Sequence, residues 1–423
     1  MTFCKRCLYG TDHPLNLTIN SRGLCSGCLV HEEKDALDWE PREEILKNLL
    51  AQYRCRNGKN YDCIIPVSGG RDSHFIVHLI KNKFKMNPLL VSYNKQYNTD
   101  VGIRNLANLR IKFNCDIISK TVNPVSVKSI TRETLHRIGS LYWHCLAGET
   151  VFPVQTAVNL KIPLIIWGAH QGIDQVGMFS HLDEVEMTRK YRKEHDLMGF
   201  EAEDLYGELE NLNEDHLHPF YYPDDYQLQS VGVRGIYLNN YIRWDSRAQH
   251  EEMISLYKYE TANITRSFDK YNDVDSYVYS DLHDILKNIK HGYSKVVDHA
   301  CREIRLRRMS REEALKLVEF YSSQPPKHVD LFLKWLGMSP SGLKYLLDEL
   351  HNPNIWERDD NWNWQRRLEV TEHLADNCDR LKNCVPFKPF LETPTYQSTD
   401  STESYILIGK GNRLKKSESE ERN

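Results

Sequence analysis

The stretch Pro66-Val67-Ser68-Gly69-Gly70-Arg71-Asp72-Ser73 follows directly on the apolar run Cys63-Ile64-Ile65. The apolar run is typical of a buried strand, and the segment from His74 to Ile80 has the character of a helix. Small residues let backbone N–H groups approach an anion closely, and the positive end of a helix dipole favours negative charge at the same place. The stretch therefore predicts a cradle for pyrophosphate, with a spacing that differs from that of a Walker loop.

Apolar runs alternate with helical stretches between Tyr61 and about Trp244. The predicted strands are Cys63–Val67, Pro88–Tyr93, Cys115–Ser119 and Ile162–Trp167. This alternation indicates an α/β domain built on a largely parallel sheet with helices on both faces. We predict five parts: a cysteine-rich module at 1–31, a helical connector at 32–60, the α/β domain at 61–246, a mainly helical region at 247–385 and a flexible polar tail at 386–423.

Length, charge and hydropathy limit the kind of protein this is. A chain of 423 residues is long enough for two or three domains. The formal net charge of −4 argues against bulk binding of nucleic acid. No apolar window has the length of a membrane span, and the first residues do not resemble a secretory signal, so we expect a cytoplasmic protein. In that compartment, eleven cysteines indicate metal ligands and free thiols.

Two cysteine pairs near the N-terminus have the spacing of a metal site. Cys4-x-x-Cys7 and Cys25-x-x-Cys28 are separated by seventeen residues. Two such knuckles complete a tetrahedral set of thiolates, which predicts Zn²⁺ in a module of the zinc-ribbon type. All four positions are filled by protein, so the predicted site is structural. The alternative is four unrelated thiols.

The Ser-Gly-Gly loop and the ends of the predicted strands supply the candidate ATP site. Asp72 is predicted to hold Mg²⁺ or to position the helix start, and Arg71 to add positive charge or to point to solvent. Ligand sites form at the carboxyl ends of parallel strands, where His170 is a further candidate. The residues predicted to bind ATP are Ser68, Gly69, Gly70, Arg71, Asp72, Ser73, Asn94 and Gly168.

The pattern Ser-Gly-Gly-x-Asp-Ser resembles the PP-loop of ATP pyrophosphatases, which adenylate a substrate oxygen and release pyrophosphate. Over about residues 3 to 350 the chain resembles the N-acetyl sugar amidotransferase family. The motifs that carry this resemblance, besides the loop and the cysteine pairs, are 89–94, 162–168, 179–187, 242–245, 290–293, 298–299, 303–305 and 309–313. One departure is that Ala169 and His170 follow Trp167-Gly168, where the family often has an acidic residue.

The resemblance implies a PP-loop fold of the adenine nucleotide α-hydrolase type and a helical C-terminal region. It implies an ATP- and Mg²⁺-dependent enzyme of bacterial surface-glycan synthesis that converts a sugar acetamido group to an acetamidino group, releasing AMP and pyrophosphate. The implied substrates are nucleotide-activated sugars, either O-antigen uronic acids or nonulosonic acids of the pseudaminic and legionaminic type. Ammonia is expected from a separate glutaminase subunit or from solution, and the helical region is a possible homodimer contact.

Several further residues are candidates for substrate binding and catalysis. Lys290 and Arg305 are predicted to hold a charged sugar, largely from the resemblance, although a solvated basic helix face is the alternative. His181 and Glu184 are predicted to contact substrate or to decorate a helix face. Asp245 joins Asp72 and Ser73 as a catalytic candidate, with a helix N-cap as the alternative.

Cysteine chemistry bears on the two competing interpretations. Cys145 follows His144 but lacks the glycine that precedes a glutaminase nucleophile, so we interpret it as a packed or substrate-lining thiol. A PP-loop tRNA-thiolating enzyme is the alternative function, and it calls for a basic surface and a cysteine pair near the loop, with Cys63 and Cys115 as the remaining candidates. A non-catalytic scaffold is a third possibility, disfavoured by the presence of Asp72 and Ser73.

Overall fold

A five-stranded parallel sheet lies at the centre of the α/β region in the order β3-β2-β1-β4-β5. The computed structural model describes residues 2–206, 212–367 and 387–392. The five strands are β1 Cys63–Pro66, β2 Pro88–Tyr93, β3 Ile117–Lys120, β4 Leu164–Trp167 and β5 Arg234–Tyr237. The α/β fold class and the four predicted strands are confirmed. β5 escapes sequence reasoning because Arg234 and Gly235 interrupt its apolar character.

The middle of the sheet is covered on both faces. Ile64 and Ile65 of β1 and Leu90 of β2 are fully buried, as expected for strands with helices above and below them. β1 pairs with β2 on one side and with β4 on the other. The chain order reverses between β1 and β4, so the loop that leaves β1 lies at the switch point where such sheets bind ligands.

Helices make up most of the remaining described structure. They are α1 Ser26–Ala36, α2 Trp39–Gln52, α3 Arg71–Val77, α4 Asp100–Phe113, α5 Pro124–Ile138, α6 Trp143–Leu160, α7 Gln171–Asp174, α8 Arg189–Tyr191, α9 Glu214–Leu217, α10 Asp225–Val231, α11 Ser246–Tyr257, α12 Tyr277–His291, α13 Lys295–Arg305, α14 Arg311–Ser322, α15 Val329–Leu336 and α16 Pro340–Glu349. A hairpin of β6 Trp356–Arg358 and β7 Trp364–Arg366 follows them. In the described ranges, no helix combines the length and the apolar character that a membrane crossing needs.

The predicted start of α14 illustrates how local sequence sets a helix end. The Ser310 hydroxyl accepts a hydrogen bond from the Glu313 N–H at 3.1 Å, and the Glu313 carboxylate accepts one from the Ser310 N–H at 2.8 Å. This reciprocal pair satisfies two backbone donors that the first turn leaves open. The helical C-terminal region and its capping box are both present as predicted.

The cysteine module shares a core with the C-terminal helices. Cys4 and Tyr9 are buried in one apolar cluster with Val296 and Cys301 of α13. α1 begins inside the predicted module and continues across its predicted end at residue 31 to Ala36. The N-terminal module is therefore packed against residues almost 300 positions away in the sequence.

The C-terminal region also packs closely on α4, beside the loop that follows β1. A Cβ atom at Gly102 would lie 2.4 Å from the Asp275 Cα. The Thr99 N–H donates to the Asp275 carbonyl at 3.2 Å, which ties the start of α4 to the same backbone. Only a residue without a side chain permits this approach.

A short part of the predicted tail is packed in the structure. Phe390 is buried against Phe268 and Tyr271, and Arg247 donates to the Lys388 carbonyl at 2.7 Å. Residues 387–392 thus lie on the helical region, and the rest of the stretch 386–423 that we predicted to be flexible lies outside the described residues.

We predict that Gly102→Ala destabilises the protein by about 2 kcal/mol, because the added methyl group meets backbone that cannot move aside. Gly342→Ala is a matched control, since both glycines are the third residue of a helix and donate to the hydroxyl of the N-cap residue. At Gly342 the new Cβ would meet only side-chain atoms, at 3.3 Å or more. Urea denaturation of the two variants would contradict this account if their losses of stability were equal.

Candidate functional site

Two serine hydroxyl groups fix the conformation of the loop after β1. Gly69 has φ +82°, and a Cβ there would lie 2.5 Å from the Gly102 carbonyl oxygen. The Ser68 N–H donates to the Ser73 hydroxyl at 3.2 Å, and the Gly70 N–H donates to the Ser68 hydroxyl at 3.1 Å. Gly70 is the N-cap of α3 and offers it no side-chain cap. This bare helix start beside small residues fits a pyrophosphate group.

Charged side chains surround the start of α3. Arg71 lies between two carboxylates: its Nε is 3.5 Å from Asp72 Oδ1, and its Nη1 is 3.3 Å from Asp269 Oδ2. Partial burial raises the pKa of Asp72, although Arg71 and Arg302 act in the opposite direction. A cation beside Asp72 would relieve that cost, so its carboxylate suits Mg²⁺.

A partly buried ion cluster also adjoins the loop. Lys95 lies two residues beyond β2, and its ammonium group is 2.8 Å from Glu149 and 2.9 Å from Asp275. A Cβ at Gly70 would lie 3.6 Å from an Asp275 carboxylate oxygen. Burial raises the pKa of Glu149 despite the nearby Lys95. The cluster therefore places one cation and two carboxylates next to the predicted pyrophosphate cradle.

Cys145 lies in the same neighbourhood but is sealed from water. Its sulfur is 3.4 Å from His144 Nε2, and burial raises the pKa of the thiol well above its usual value. A neutral buried thiol is a weak nucleophile. This environment agrees with the interpretation of Cys145 as a packed thiol.

The strand-end candidates lie at the carboxyl edge of the sheet in different surroundings. Asn94 donates to the Thr121 hydroxyl at 3.2 Å, and Gly168 lies under the Trp244 ring. His170 is buried, with no hydrogen-bond partner for either ring nitrogen among the described residues. Burial lowers its pKa to about 4, so the ring is neutral. Roles for Asn94, Gly168 and His170 in nucleotide binding stay predictions.

Three of the predicted substrate residues lie outside this group. His181 Nδ1 is 2.7 Å from Glu33 of α1, and Lys290 donates to the Ile138 carbonyl at the end of α5, at 3.0 Å. Glu184 has a left-handed backbone, with φ +48°. Within the described ranges, no hydrogen bond or ion pair joins these side chains to the Ser68–Gly70 loop. Their roles in substrate binding stay predictions.

Asp245 has the alternative role considered for it. One oxygen accepts from the Ala248 N–H at 3.2 Å and so caps α11. Both oxygens are also bonded to Arg308 Nη1, at 2.9 and 3.0 Å. The carboxylate is therefore occupied by a helix start and an ion pair.

The four predicted metal ligands meet in one buried cluster. The sulfur atoms of Cys4, Cys7, Cys25 and Cys28 all lie within 4.8 Å of one another. Cys4 and Cys28 are 3.8 Å apart, and Cys7 and Cys25 are 3.5 Å apart. Sulfur atoms bound tetrahedrally to Zn²⁺ at about 2.3 Å are separated by about 3.8 Å. The set fits zinc and leaves no position for a reacting ligand.

Arg305 lies against this cluster. Its Nη2 is 3.4 Å from the Cys25 sulfur and 3.7 Å from the Cys7 sulfur, and its guanidinium lies 5.1 Å from the centre of the Tyr9 ring. Arg311 adds a hydrogen bond of 2.8 Å to the Cys4 carbonyl. The Arg305 charge would offset that of zinc-bound thiolates, and its predicted role in binding a sugar stays a prediction.

Sequence reasoning missed four charged residues beside the loop: Lys95, Glu149, Asp269 and Asp275. Lys95 was detectable, because it follows a predicted strand end and the carboxyl edge is where ligands bind. The other three carry no local signal. Glu149 lies within a largely apolar helix, and the two aspartates come from a region whose approach to the loop depends on tertiary packing.

We predict that the purified full chain contains about one zinc ion and that Cys25→Ser removes it, because a structural zinc site needs all four thiolates. Cys301→Ser is the control: its sulfur is also buried and accepts from the Leu8 N–H at 3.3 Å, but it lies outside the four-cysteine set. Elemental mass spectrometry measures the zinc content of the wild type and of both variants. Wild-type protein without zinc, or equal loss in the two variants, would refute the assignment.

Comparisons with known proteins bear on the C-terminal region most directly. Residues 265–369 match the family described as LPS biosynthesis protein WbpG-like, C-terminal domain. A relative, the uncharacterized protein MJ1599 of Methanocaldococcus jannaschii, is 29% identical over 123 residues, which cover 27% of this chain and 41% of that protein. The chain therefore spans about two fifths of the curated relative it matches.

The solved structure of NMN synthetase from Francisella tularensis is similar to this chain at 12% identity and a TM-score of 0.27. The similar region covers 54% of this chain and 98% of the NMN synthetase chain. That score is too low to support an argument about fold or activity.

The sequence match at 265–369 has a clearer place in the structure, because it includes Asp269, Asp275 and Arg302. The residues that approach the loop from the C-terminal side thus lie in a region similar to a domain of lipopolysaccharide biosynthesis proteins.

Proposed function

We propose that this chain is an ATP-dependent, AMP-forming amidotransferase that converts the acetamido group of a nucleotide-activated sugar to an acetamidino group. One observation carries the proposal: the Ser68–Gly70 loop lies at the carboxyl end of the central strand, and Asp269 and Asp275 of the region similar to a lipopolysaccharide biosynthesis domain lie beside it. The proposed substrates are O-antigen uronic acids or nonulosonic acids of the pseudaminic and legionaminic type.

The reaction needs a phosphate-binding loop for a chemical reason. Ammonia does not displace the oxygen of an amide, because oxide is not a possible leaving group. When the carbonyl oxygen attacks the α-phosphorus of ATP, the bond to the bridging oxygen breaks and pyrophosphate leaves. Ammonia then adds to the activated carbon, AMP departs with the former carbonyl oxygen, and loss of a proton gives the amidine.

The residues beside the loop have properties that suit these steps. The small residues of the loop and the open start of α3 would hold the phosphates, and Ser73 keeps the loop in shape. Asp72 would hold Mg²⁺, which supplies charge neutralisation for the departing pyrophosphate. Glu149, with its raised pKa, could accept the proton that ammonia releases. Alignment and fixed charge are the contributions proposed for the protein.

Ammonia is proposed to come from a separate glutaminase subunit or from solution. Cys145 is buried and neutral, which does not suit a glutaminase nucleophile. The zinc cluster is assigned a structural role. A cytoplasmic location and a homodimeric state belong to the same proposal.

A tRNA-thiolating enzyme gains no specific support from the described residues. Cys63 begins β1 and Cys115 precedes β3, so both lie at the amino edge of the sheet, opposite the Ser68–Gly70 loop. Cys145 is near the loop but has no described cysteine beside it that could form a sulfur-transferring pair. Cys378 and Cys384 lie outside the described residues.

We predict that the protein with ATP, Mg²⁺ and ammonium releases AMP and pyrophosphate in the presence of a suitable nucleotide-linked acetamido sugar, and that Asp72→Ala lowers turnover by about 100-fold or more. High-resolution mass spectrometry of the sugar shows the exchange of O for NH. Asp225→Ala is the matched control, because Asp225 is also in the first turn of a helix but is exposed, and no hydrogen bond or ion pair of the described residues joins it to the Ser68–Gly70 loop.

Either of two results would contradict the proposal. Release of ADP instead of AMP would mean that a different phosphate bond is broken. Wild-type turnover by Asp72→Ala would mean that the loop has been assigned wrongly. A bulk tRNA substrate in the same assay tests the alternative function directly.

Asp245→Asn separates a catalytic role from a structural one. Asparagine also caps helices well, and Arg308 retains Glu303 as a partner. We therefore expect turnover within about threefold of wild type and a loss of stability of about 1 kcal/mol. A loss of turnover of about 100-fold at unchanged stability would establish Asp245 as a catalytic base.

A further inference from the structure

Two arginines from distant parts of the chain meet on one carboxylate beside the loop. Arg71 Nη1 is 3.3 Å from Asp269 Oδ2, and Arg302 Nη2 is 2.7 Å from the same oxygen. Arg71 follows directly on the Ser68–Gly70 loop, whereas Arg302 lies on α13. The shared oxygen brings the two guanidinium groups side by side at the start of α3.

Hydrogen bonds and ion pairs hold the Asp269 carboxylate in one position. Its side chain is fully buried, and its Oδ1 accepts from the backbone N–H groups of Tyr271 and Asn272 at 2.9 and 3.2 Å. Burial opposes its ionisation, yet Arg302, His299 and Arg71 together hold its pKa well below the usual range. Asp269 is therefore a permanent anion whose place is set before any ligand arrives.

Both arginines retain donors for a ligand. Arg302 uses Nε on Glu303 and Nη2 on Asp269, and Arg71 uses Nε and Nη1 on Asp72 and Asp269. Arg302 Nη1 and Arg71 Nη2 have no hydrogen-bond partner among the described residues. The two side chains are 13% and 21% exposed, so neither is fully sealed from solvent. Guanidinium donors in a planar fork match the oxygens of a phosphate.

We propose that Arg302 of the C-terminal region binds the phosphates of ATP, and pyrophosphate after transfer, beside Arg71, with Asp269 as the residue that positions both. The inference rests on the nucleotide-binding part of the proposed function and does not depend on the sugar. It makes the C-terminal region part of the ATP site, since the loop by itself carries only Arg71. The carboxylates Asp72 and Asp269 balance the two arginines, so a bound phosphate and Mg²⁺ find complementary charges there.

The diphosphate of a nucleotide sugar offers the same chemistry, so the test includes both sources. Isothermal titration of the full chain with Mg²⁺ and inorganic pyrophosphate measures affinity for the phosphates that ATP supplies. Titration with UDP-N-acetylglucosamine measures affinity for the diphosphate of a nucleotide sugar. We expect Arg302→Ala to weaken pyrophosphate binding about tenfold or more, which is about 1.4 kcal/mol. Arg302→Lys keeps the charge without the fork, and we expect it to weaken binding about threefold.

Arg307→Ala is the matched control. Arg307 lies two residues after α13, is 48% exposed and pairs loosely with Asp35 at 3.5 Å. We expect it to bind pyrophosphate as the wild type does. Circular dichroism checks that each variant is folded. If Arg302→Ala does not fold, Arg302→Lys serves as the test variant.

Three results with the variants would overturn the inference. Wild-type affinity for pyrophosphate in both Arg302 variants is the first, and an equal loss in Arg307→Ala is the second. Weakened binding of the sugar nucleotide alone is the third, since it would assign Arg302 to the other substrate. Wild-type protein that binds neither ATP nor pyrophosphate would overturn the proposed function as well. Normal binding of ATP without amidination of any sugar would refute the proposed reaction and leave the role of Arg302 standing.

Discussion

Opposite charges hold the C-terminal region on the carboxyl edge of the sheet. Asp269 pairs with Arg71 at the start of α3, and Asp275 pairs with Lys95 beyond the end of β2. These groups are largely withdrawn from water, so removing one partner would leave a buried charge with less compensation. Charge thus fixes the distance and orientation between two parts of the chain that the sequence separates by nearly 200 residues. The close approach of Gly102 to the backbone of Asp275 adds a steric condition at the same junction.

Helix α13 connects this junction to the cysteine cluster. Arg302 and Arg305 are three residues apart, which places them one turn apart on neighbouring parts of the helix surface. Arg302 contacts Asp269, and Arg305 contacts the sulfur atoms of Cys7 and Cys25. The N-terminal module that contains the four-cysteine cluster therefore packs against the helix that carries Arg302. This arrangement connects the four-cysteine cluster to the Ser68–Gly70 loop through one helix.

Charged residues illustrate the limit of sequence reasoning in this protein. The family resemblance, more than residue type, singled out Lys290 and Arg305 as groups that bind an anion, and Asp245 was a candidate to move a proton. In the structure, Lys290 caps α5, Arg305 offsets thiolate charge and Asp245 caps α11. Each of these side chains has a partner within the protein, and its role toward a substrate stays a prediction. Which partner a charged side chain meets depends on contacts between elements that are distant in sequence, and no local pattern records those contacts.

The sequence by itself determined the strand–loop–helix unit at Ser68–Gly70, four of the five strands and the four-cysteine set. These features depend on short-range rules: apolar runs, small residues in turns and the spacing of ligands on a knuckle. Only the tertiary structure decided that β5 completes the sheet, that α13 lies against both the cysteines and the loop, and that Asp269 joins Arg71 to Arg302. The physical reason is that burial and ion pairing between remote segments are properties of the folded chain as a whole, and they are absent from any single stretch of it.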